Sequence, residues 1–345
     1  MIRSAVVDRE EVGALPARGR YGVDRYGRRR SRRGRQRVVR GSDHTGMELG
    51  PLCRFRDRSI DVRILITNDD GVFAPGIEAL ARGLAARYDG VHELVVVAPL
   101  VDYSGSGAAV GSVYDRESIP YEAVQIPGLE HVATYGVDGP PALAVILACI
   151  EGFGPRPDLI LSGVNNGMNA GRSALHSGTV GAALTAAQFG LRGVAVSIAW
   201  ASDPIPWETP VSVASDLVPV LAAAERGTVL NLNVPAVPLS ELRGVRHGTL
   251  GSVGLIRSVS SQQTVDQVHS QQATSLGGTV TLTLRGGRGS DQGEEAAEID
   301  PESDAGLVKD GWASLTSILG VREDHSSAGT EVLAKALAEV HPADA

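Results

Sequence analysis

Residues 62–80, VRILITNDDGVFAPGIEAL, constrain the fold more tightly than any other stretch of the chain. Val62, Ile64, Leu65 and Ile66 make a short apolar run with β-branched side chains, the pattern of a buried strand. The run stops at Asn68-Asp69-Asp70-Gly71, and after Pro75-Gly76 the residues Ile77, Leu80, Ala81 and Leu84 recur at helical spacing. Two adjacent carboxylates are thus expected on the turn leaving the carboxyl end of a strand, where open α/β sheets place their ligands. Neighbouring like charges repel, so the pair needs a cation, a proton or a strong set of donors. A hard divalent metal with oxygen ligands meets that need. A solvated Asp-Gly turn capping the helix is the plainer reading of the same residues.

The rest of the chain supplies enough apolar material for one large core: 345 residues, 43% hydrophobic, with 42 glycines. No stretch approaches the roughly 20 apolar residues of a membrane span. Cys53 and Cys149 are the only cysteines, which implies no disulfide framework and fits a reducing cytoplasm. Cys149, in the apolar run 142–150, reads as a small core residue. Residues 1–60 carry 16 Arg and 7 acids, whereas the remainder is strongly acidic, so the net charge of −8 hides a polar division. The run 28–40, RRRSRRGRQRVVR, is either a basic arm for non-specific nucleic-acid contact or a tail too poor in apolar residues to order. No apolar segment follows the arginines, so it is not a secretory signal. The preferred reading is that residues 1–61 are a disordered extension, or lie upstream of the true start.

Strands and helices then alternate, which predicts an α/β fold: a Rossmann-like, doubly wound, mostly parallel sheet. Strands are expected at 93–98 (ELVVVA), 158–161 (DLIL), 194–198 and 228–234 (TVLNLNV), with helices at 139–150, 178–188 and 213–224. Residues 62–235 form this core, and 62–345 a single domain. Residues 257–300 are rich in Ser, Gln, Thr and Gly and cannot make a core of their own. With 279–284 (TVTLTL) alternating, they read as a β arm or long hairpin. A strand at 312–318 and a closing helix at 331–340 complete the expected elements.

Three more polar clusters fall where strands end. Residues 98–107 (APLVDYSGSG) place Ser104 and Ser106 among small residues that leave backbone N–H groups free for an anion. Residues 162–169 (SGVNNGMN) offer the amide oxygens of Asn165 and Asn169, acceptors suited to a hard metal, and amide donors suited to phosphate. In 176–183 (HSGTVGAA), Ser177 can cap the next helix, and Thr179 with the helix N-terminus can hold phosphate. Each cluster alone is equally a linker, an Asn-Gly turn or a simple cap.

In order along the chain, NDDG-x-x-APG, AP-x-x-x-x-SG-x-G, SG-[IV]-N-x-G-x-N and SGTVGAA resemble the survival protein SurE family of 5′/3′-nucleotidases. NLNVP at 231–235 and SDAGLVKDGWASLTS at 303–317 extend the similarity. The resemblance implies a phosphomonoesterase acting on nucleoside monophosphates with one divalent ion per subunit, Mg²⁺ or Mn²⁺. It implies metal ligands at Asp69, Asp70, Ser104 and Asn165, with Asp69 and Asp70 also catalytic. It implies a phosphate site lined by Asn68, Ser106, Asn169, Ser177 and Thr179. It further implies a homodimer or homotetramer joined through the C-terminal arm. The chain departs from the family pattern at Phe73, at Leu100, and at Asp138-Gly139-Pro140-Pro141 in place of a Gly-Thr-Pro turn. These departures bear on substrate preference and remove no expected ligand. Two other readings exist. A serine hydrolase using Ser104 or Ser106 with His176 lacks a G-x-S-x-G elbow and leaves the paired aspartates unexplained. A nucleotide-binding or assembly module with weak catalysis would retain the same fold.

Overall fold

The computed structural model describes residues 62–88, 90–252, 256–262, 279–284 and 299–321. The Arg-rich segment 1–61 and the helix expected at 331–340 lie outside the described residues. β1 (Arg63–Thr67) is buried along its whole length. Because successive strand side chains point to opposite faces, Ile64 and Ile66 enter one apolar layer while Leu65 enters the other. The first layer is completed by α1 (Pro75–Tyr88) and α4 (Glu208–Ala223), through Ile77, Leu80, Leu84, Val218 and Leu221. The second is completed by α2 (Pro141–Cys149) and α3 (Gly178–Gln188), through Ala144, Val145, Ala182 and Ala186. Each fully buried Ile or Leu contributes about 1.5–3 kcal/mol from leaving water, so these layers supply the main drive for folding.

Around β1 the parallel strands are β2 (Glu93–Pro99), β4 (Ala133–Val137), β5 (Leu159–Asn166), β6 (Arg192–Ile198) and β7 (Val229–Val234). The edges are made by β3 (Tyr121–Val124), antiparallel to β4, and by β11 (Ala313–Ile318), antiparallel to β7 and followed by β8 (Val245–His247). Among the described residues the sheet order is β3-β4-β2-β1-β5-β6-β7-β11-β8. The chain moves from β1 to β2 on one side and later returns to β5 on the other. The β1/β5 boundary is therefore the switch point, the place where sheets of this kind leave a crevice at their carboxyl edge. β9 (Ile256–Gln262) and β10 (Thr279–Leu284) pair antiparallel as a separate two-stranded ribbon, as the alternation of residues 279–284 predicts. A short helix, α5 (Asp304–Lys309), precedes β11. No helix among the described residues is long and apolar enough to cross a membrane.

Several expectations change. The sheet does not end at residue 235: β11 and β8 extend it, because the apolar side chain of Ala313 completes the core beside Leu232 and Val234. The strand expected at 158–161 continues through Ser162-Gly163 to Asn166, since pairing with β6 resumes at Asn165↔Ser197 after a register shift. α4 begins at Glu208, five residues before its apolar periodicity starts, and β3, β4 and β8 were not expected. Cys149 is a core residue, and burial pushes its thiol up to about 11, which leaves it inert.

Candidate active site

The turn after β1 is held from three sides. Tyr103 N donates to Asp69 O at 2.7 Å and Val72 N to Pro99 O at 2.7 Å, which seat the turn against the loop leaving β2. Asn68 is fully buried, and its Nδ2 donates to Gly71 O at 2.9 Å, closing the turn internally. Pro75-Gly76 follows because α1 starts pressed onto β5: a Cβ on Gly76 would collide with the Val164 carbonyl oxygen. The two aspartates are thereby fixed at the carboxyl edge beside the switch point.

Asp69 is 3% exposed. Burial raises its carboxyl above the usual range, opposed by hydrogen bonds from Thr179 and the first backbone N–H groups of α3. The Thr179 hydroxyl donates to Asp69 Oδ1 at 2.5 Å. Asp70 is pushed up to about 7, first by burial and then by the neighbouring charges of Asp69 and Asp102. Neither carboxylate has an ion-pair partner among the described residues to offset this repulsion. Among the described residues no group of three or more His, Cys, Asp or Glu side chains converges as a metal cluster. A cation here would rest on two carboxylates completed by neutral oxygens.

Those oxygens exist. Asn165 Nδ2 donates to Gly167 O at 2.6 Å, which turns the other amide atom, an acceptor, away from that bond. Ser104 donates both its N–H and its hydroxyl to Asp102 Oδ1, at 2.7 and 2.6 Å, so the lone pairs of Ser104 Oγ remain for another partner. Asn68 Oδ1 and Ser106 Oγ are buried with no hydrogen-bond partner. Buried polar atoms in native folds are normally satisfied, so unpartnered oxygens beside a carboxylate pair point to an absent ligand. The donor set suits a hard cation.

Gly178 brings the last pieces together. A Cβ at this position would lie 2.7 Å from Asp69 Cβ, 2.8 Å from Asp69 Oδ2 and 2.9 Å from Ser106 Oγ. Asp69, Ser106 and the first turn of α3 therefore meet in a space that only glycine leaves open. Ser177 caps α3, its Oγ accepting from Val180 N at 3.1 Å, as its place before the helix predicts. Thr179 differs from expectation in one respect: its proton is committed to Asp69, so here it orients the carboxylate. Asn169 is likewise engaged elsewhere. Its Nδ2 donates to Ser197 Oγ at 2.9 Å, its N–H to Asn233 Oδ1 at 2.8 Å, and its carbonyl accepts from Asn231 Nδ2 at 2.7 Å. This buried amide network anchors the loop after β5 and fixes the Asn169 side chain. Ser104 and Ser106 make no hydrogen bond to His176, whose carbonyl accepts from Gly107 N at 3.0 Å.

Two contributors escape local sequence reading. Asp102 faces Asp70 electrostatically and holds Ser104. Asp304 is fully buried, with Oδ2 accepting from Gly171 N at 2.7 Å and Oδ1 from Ala305 N and Gly251 N at 2.9 and 3.1 Å. It ties α5 to the segment entering α3. Asp304→Ala should leave three amides without their acceptor and cost about 3 kcal/mol, at roughly 1–3 kcal/mol per orphaned buried group. Denaturant unfolding checks this, and a variant as stable as the parent would show that water replaces the carboxylate.

Residues 64–255 match the family model described as Survival protein SurE. The chain belongs to the SurE family. Its relatives include 5′-nucleotidase SurE of Symbiobacterium thermophilum, 37% identical over 264 residues that cover 74% of this chain and 91% of the relative. They also include 5′/3′-nucleotidase SurE of Proteus mirabilis, 32% identical over 259 residues covering 74% and 89%. The crystal structure of SurE from Aquifex aeolicus aligns with a TM-score of 0.56 at 26% identity, covering 81% of this chain and 99% of that one. The SurE match spans the carboxyl-edge loops that carry Asp69, Ser104, Asn165 and Thr179.

Proposed function

We infer that this SurE-family chain is a 5′-nucleotidase: it hydrolyses nucleoside 5′-monophosphates to nucleoside and phosphate with the help of one divalent cation per subunit, Mg²⁺ or Mn²⁺. The observation that carries the reading is the Asp69–Asp70 pair, the first buried and the second half-buried, with no ion-pair partner among the described residues, beside the unpartnered Ser106 hydroxyl and the first turn of α3. Relatives of the chain bear the name 5′-nucleotidase SurE. Asp69, Asp70, Ser104 and Asn165 would hold the cation, which supplies Lewis acidity toward the phosphoryl group and a nucleophile at neutral pH. Asp69, with one oxygen held by Thr179, keeps a fixed direction toward the site. Ser106 and the N–H groups at the start of α3 donate to phosphate oxygens, placing dipoles where charge develops. Asn68, Asn169 and Ser177 shape the surrounding turns.

The β9–β10 ribbon supports an assembly role for the C-terminal arm. Among the described residues the ribbon pairs with no strand of the main sheet, and exchange of such a ribbon between copies is a low-cost way to a dimer or tetramer. Every proposed site residue follows residue 61, so the Arg-rich extension takes no part in the chemistry. The two-cysteine composition fits a cytoplasmic enzyme.

The test is phosphate release by the purified chain from a panel of nucleoside monophosphates, with Mg²⁺ or Mn²⁺ and with EDTA. Turnover that EDTA removes and added metal restores is expected. Chelator-resistant turnover, or saturable nucleotide binding without phosphate release, would overturn the reading.

A further inference from the structure

Between Asn166, where β5 ends, and Gly178, where α3 starts, the only regular element is one 3-10 stretch, Gly171–His176. Side chains from distant elements set where this connection lies. β7 reads VLNLNV. Leu232 and Val234 enter the first apolar layer, so Val229, Asn231 and Asn233 face the other side, where Val229 packs with Val180 and Ala183 of α3. Asparagine is depleted in strands and costly to bury unless bonded, yet both of these are fully buried. Asn233 commits both ends of its carboxamide to one residue: Oδ1 accepts from Asn169 N at 2.8 Å, and Nδ2 donates to Asn169 O at 3.3 Å. It does for Asn169 what the backbone of a neighbouring strand would do. Aspartate lacks the donor, and leucine lacks both groups. Two residues on, Asp304 Oδ2 accepts from Gly171 N at 2.7 Å, while its Oδ1 is taken by Ala305 N and Gly251 N.

The segment so held reaches the site by two routes. Its last residue, Ser177, caps α3 through Val180 N, and His176 O accepts from Gly107 N at 3.0 Å, next to Ser106. Three of the residues assigned to the cation are held from elsewhere. Asp69 O accepts from Tyr103 N, Ser104 is bonded to Asp102, and Asn165 lies in the pairing of β5 with β6. We propose that Asn233 and Asp304 are positioning residues for the phosphate side of the site. They fix residues 169 and 171, and through them the place of Ser106 and of the first α3 amides, while the cation ligands are set independently. The proposal rests on the phosphatase reading for what those amides face.

The experiment compares the full chain with Asn233→Ala, which removes both bonds to Asn169, and with Asp304→Asn. The second is isosteric: its one oxygen serves either Gly171 N or the pair Ala305 N and Gly251 N, and its NH2 group meets the other side. Each variant should lower kcat/KM about 10²-fold, the loss that a misplacement near 1 Å brings in a preorganised site. The loss should be equal on a nucleoside 5′-monophosphate and on p-nitrophenyl phosphate, which share only the phosphoryl group. Mn²⁺ affinity by calorimetry should stay near the parent value. Leu221→Ala, a cavity in the opposite apolar layer, lowers stability without touching the segment and should keep the parent kcat/KM. Parent-like kcat/KM in a folded Asn233→Ala or Asp304→Asn would overturn the proposal. So would Mn²⁺ affinity that falls in step with turnover, or an equal loss in Leu221→Ala. If one variant does not fold, the other decides, and failure of both to fold makes the pair a support of the fold alone. If the parent hydrolyses neither substrate, the phosphatase reading fails. Titration of the Mn²⁺-loaded chain with inorganic phosphate then judges the positioning by itself: binding that the variants weaken supports it, and binding that is absent or insensitive to them overturns it.

Discussion

Asp69→Asn and Asp70→Asn should each lower kcat/KM by at least about 10³-fold at fixed metal concentration, a loss of about 4 kcal/mol in transition-state stabilisation. Either change halves the formal charge offered to a cation that has no other acidic cluster to draw on among the described residues. Asp70→Asn carries a second, opposite effect on the fold. The Asp70 carboxyl stands at about 7 instead of 3.8 because it is buried near the charges of Asp69 and Asp102. A carboxyl with a raised folded value binds more protons in the folded state, so stability falls as pH rises from about 4 to about 7. In EDTA at pH 8 the parent carries that destabilisation in full, and the amide does not. The variant should therefore melt higher than the parent at pH 8, with the difference shrinking at pH 5, where Asp70 is largely protonated. The gain at pH 8 is on the order of a few kcal/mol before solvent screening reduces it. Activity equal to the parent's would remove Asp70 from the site. A melting difference independent of pH would show that repulsion is not what the cation relieves.

Much of this architecture is legible because its signals are local. β1, the Asp pair and α1 follow from an apolar run, an abrupt polar stop and a 3.6-residue period within residues 62–88. The same holds for Ser177 as a cap, and for α3, where Val180, Ala183, Leu184 and Ala187 recur at helical spacing. β4 carries Gly136 in its interior, which weakens strand propensity; that glycine is there because a Cβ would strike the Leu100 side chain. β3 is an exposed edge strand with three of four residues facing solvent, so it shows no alternation to detect.

Long-range contacts explain the remaining differences. Ser162-Gly163 and the following Asn residues read locally as a turn, yet β6 offers a partner beyond the bulge, and pairing overrides propensity. The motifs place Thr179 and Asn169 at the site, and local sequence does not show that they bond Asp69, 110 residues away, and Ser197, 28 residues away. Asp304 reads as the first residue of a capped helix, and nothing nearby in sequence announces that its carboxylate holds Gly171, 133 residues distant. Motifs locate the loops that converge; which atom in each loop faces the ligand and which holds its neighbour is decided by packing across the sheet edge.

Gly178→Ala should reduce kcat/KM about 10²-fold while leaving the fold largely intact. The added methyl would enter at 2.7–2.9 Å from Asp69 Cβ, Asp69 Oδ2 and Ser106 Oγ, distances at which an atom must move. The Ser106 hydroxyl has no partner and can turn aside, but Asp69 cannot yield freely. Asp69 is tied through its carbonyl to Tyr103 N and through Oδ1 to Thr179, and Ser106 N is bonded to Tyr103 O at 3.1 Å. Relief must therefore come from the start of α3 backing away, which separates its N–H groups and Ser106 from the aspartates. A misplacement near 1 Å in a preorganised site costs about 10²-fold in rate. Helix propensity acts in the other direction, but Gly178 is the first residue of α3, so Ala regains only part of the about 1 kcal/mol it holds over Gly in a helix interior, against an overpacking cost of about 1–3 kcal/mol. The net change in melting temperature should thus be small beside the loss of activity. Phosphate release measured together with calorimetric binding of Mn²⁺ separates the contributions. Weakened metal binding means that Asp69 has moved, and intact metal binding with lost turnover means that Ser106 and the α3 amides have moved. Parent-like activity with parent-like metal binding would show that α3 can approach β1 with a side chain between them, and that the tight contact at Gly178 is not what assembles the site.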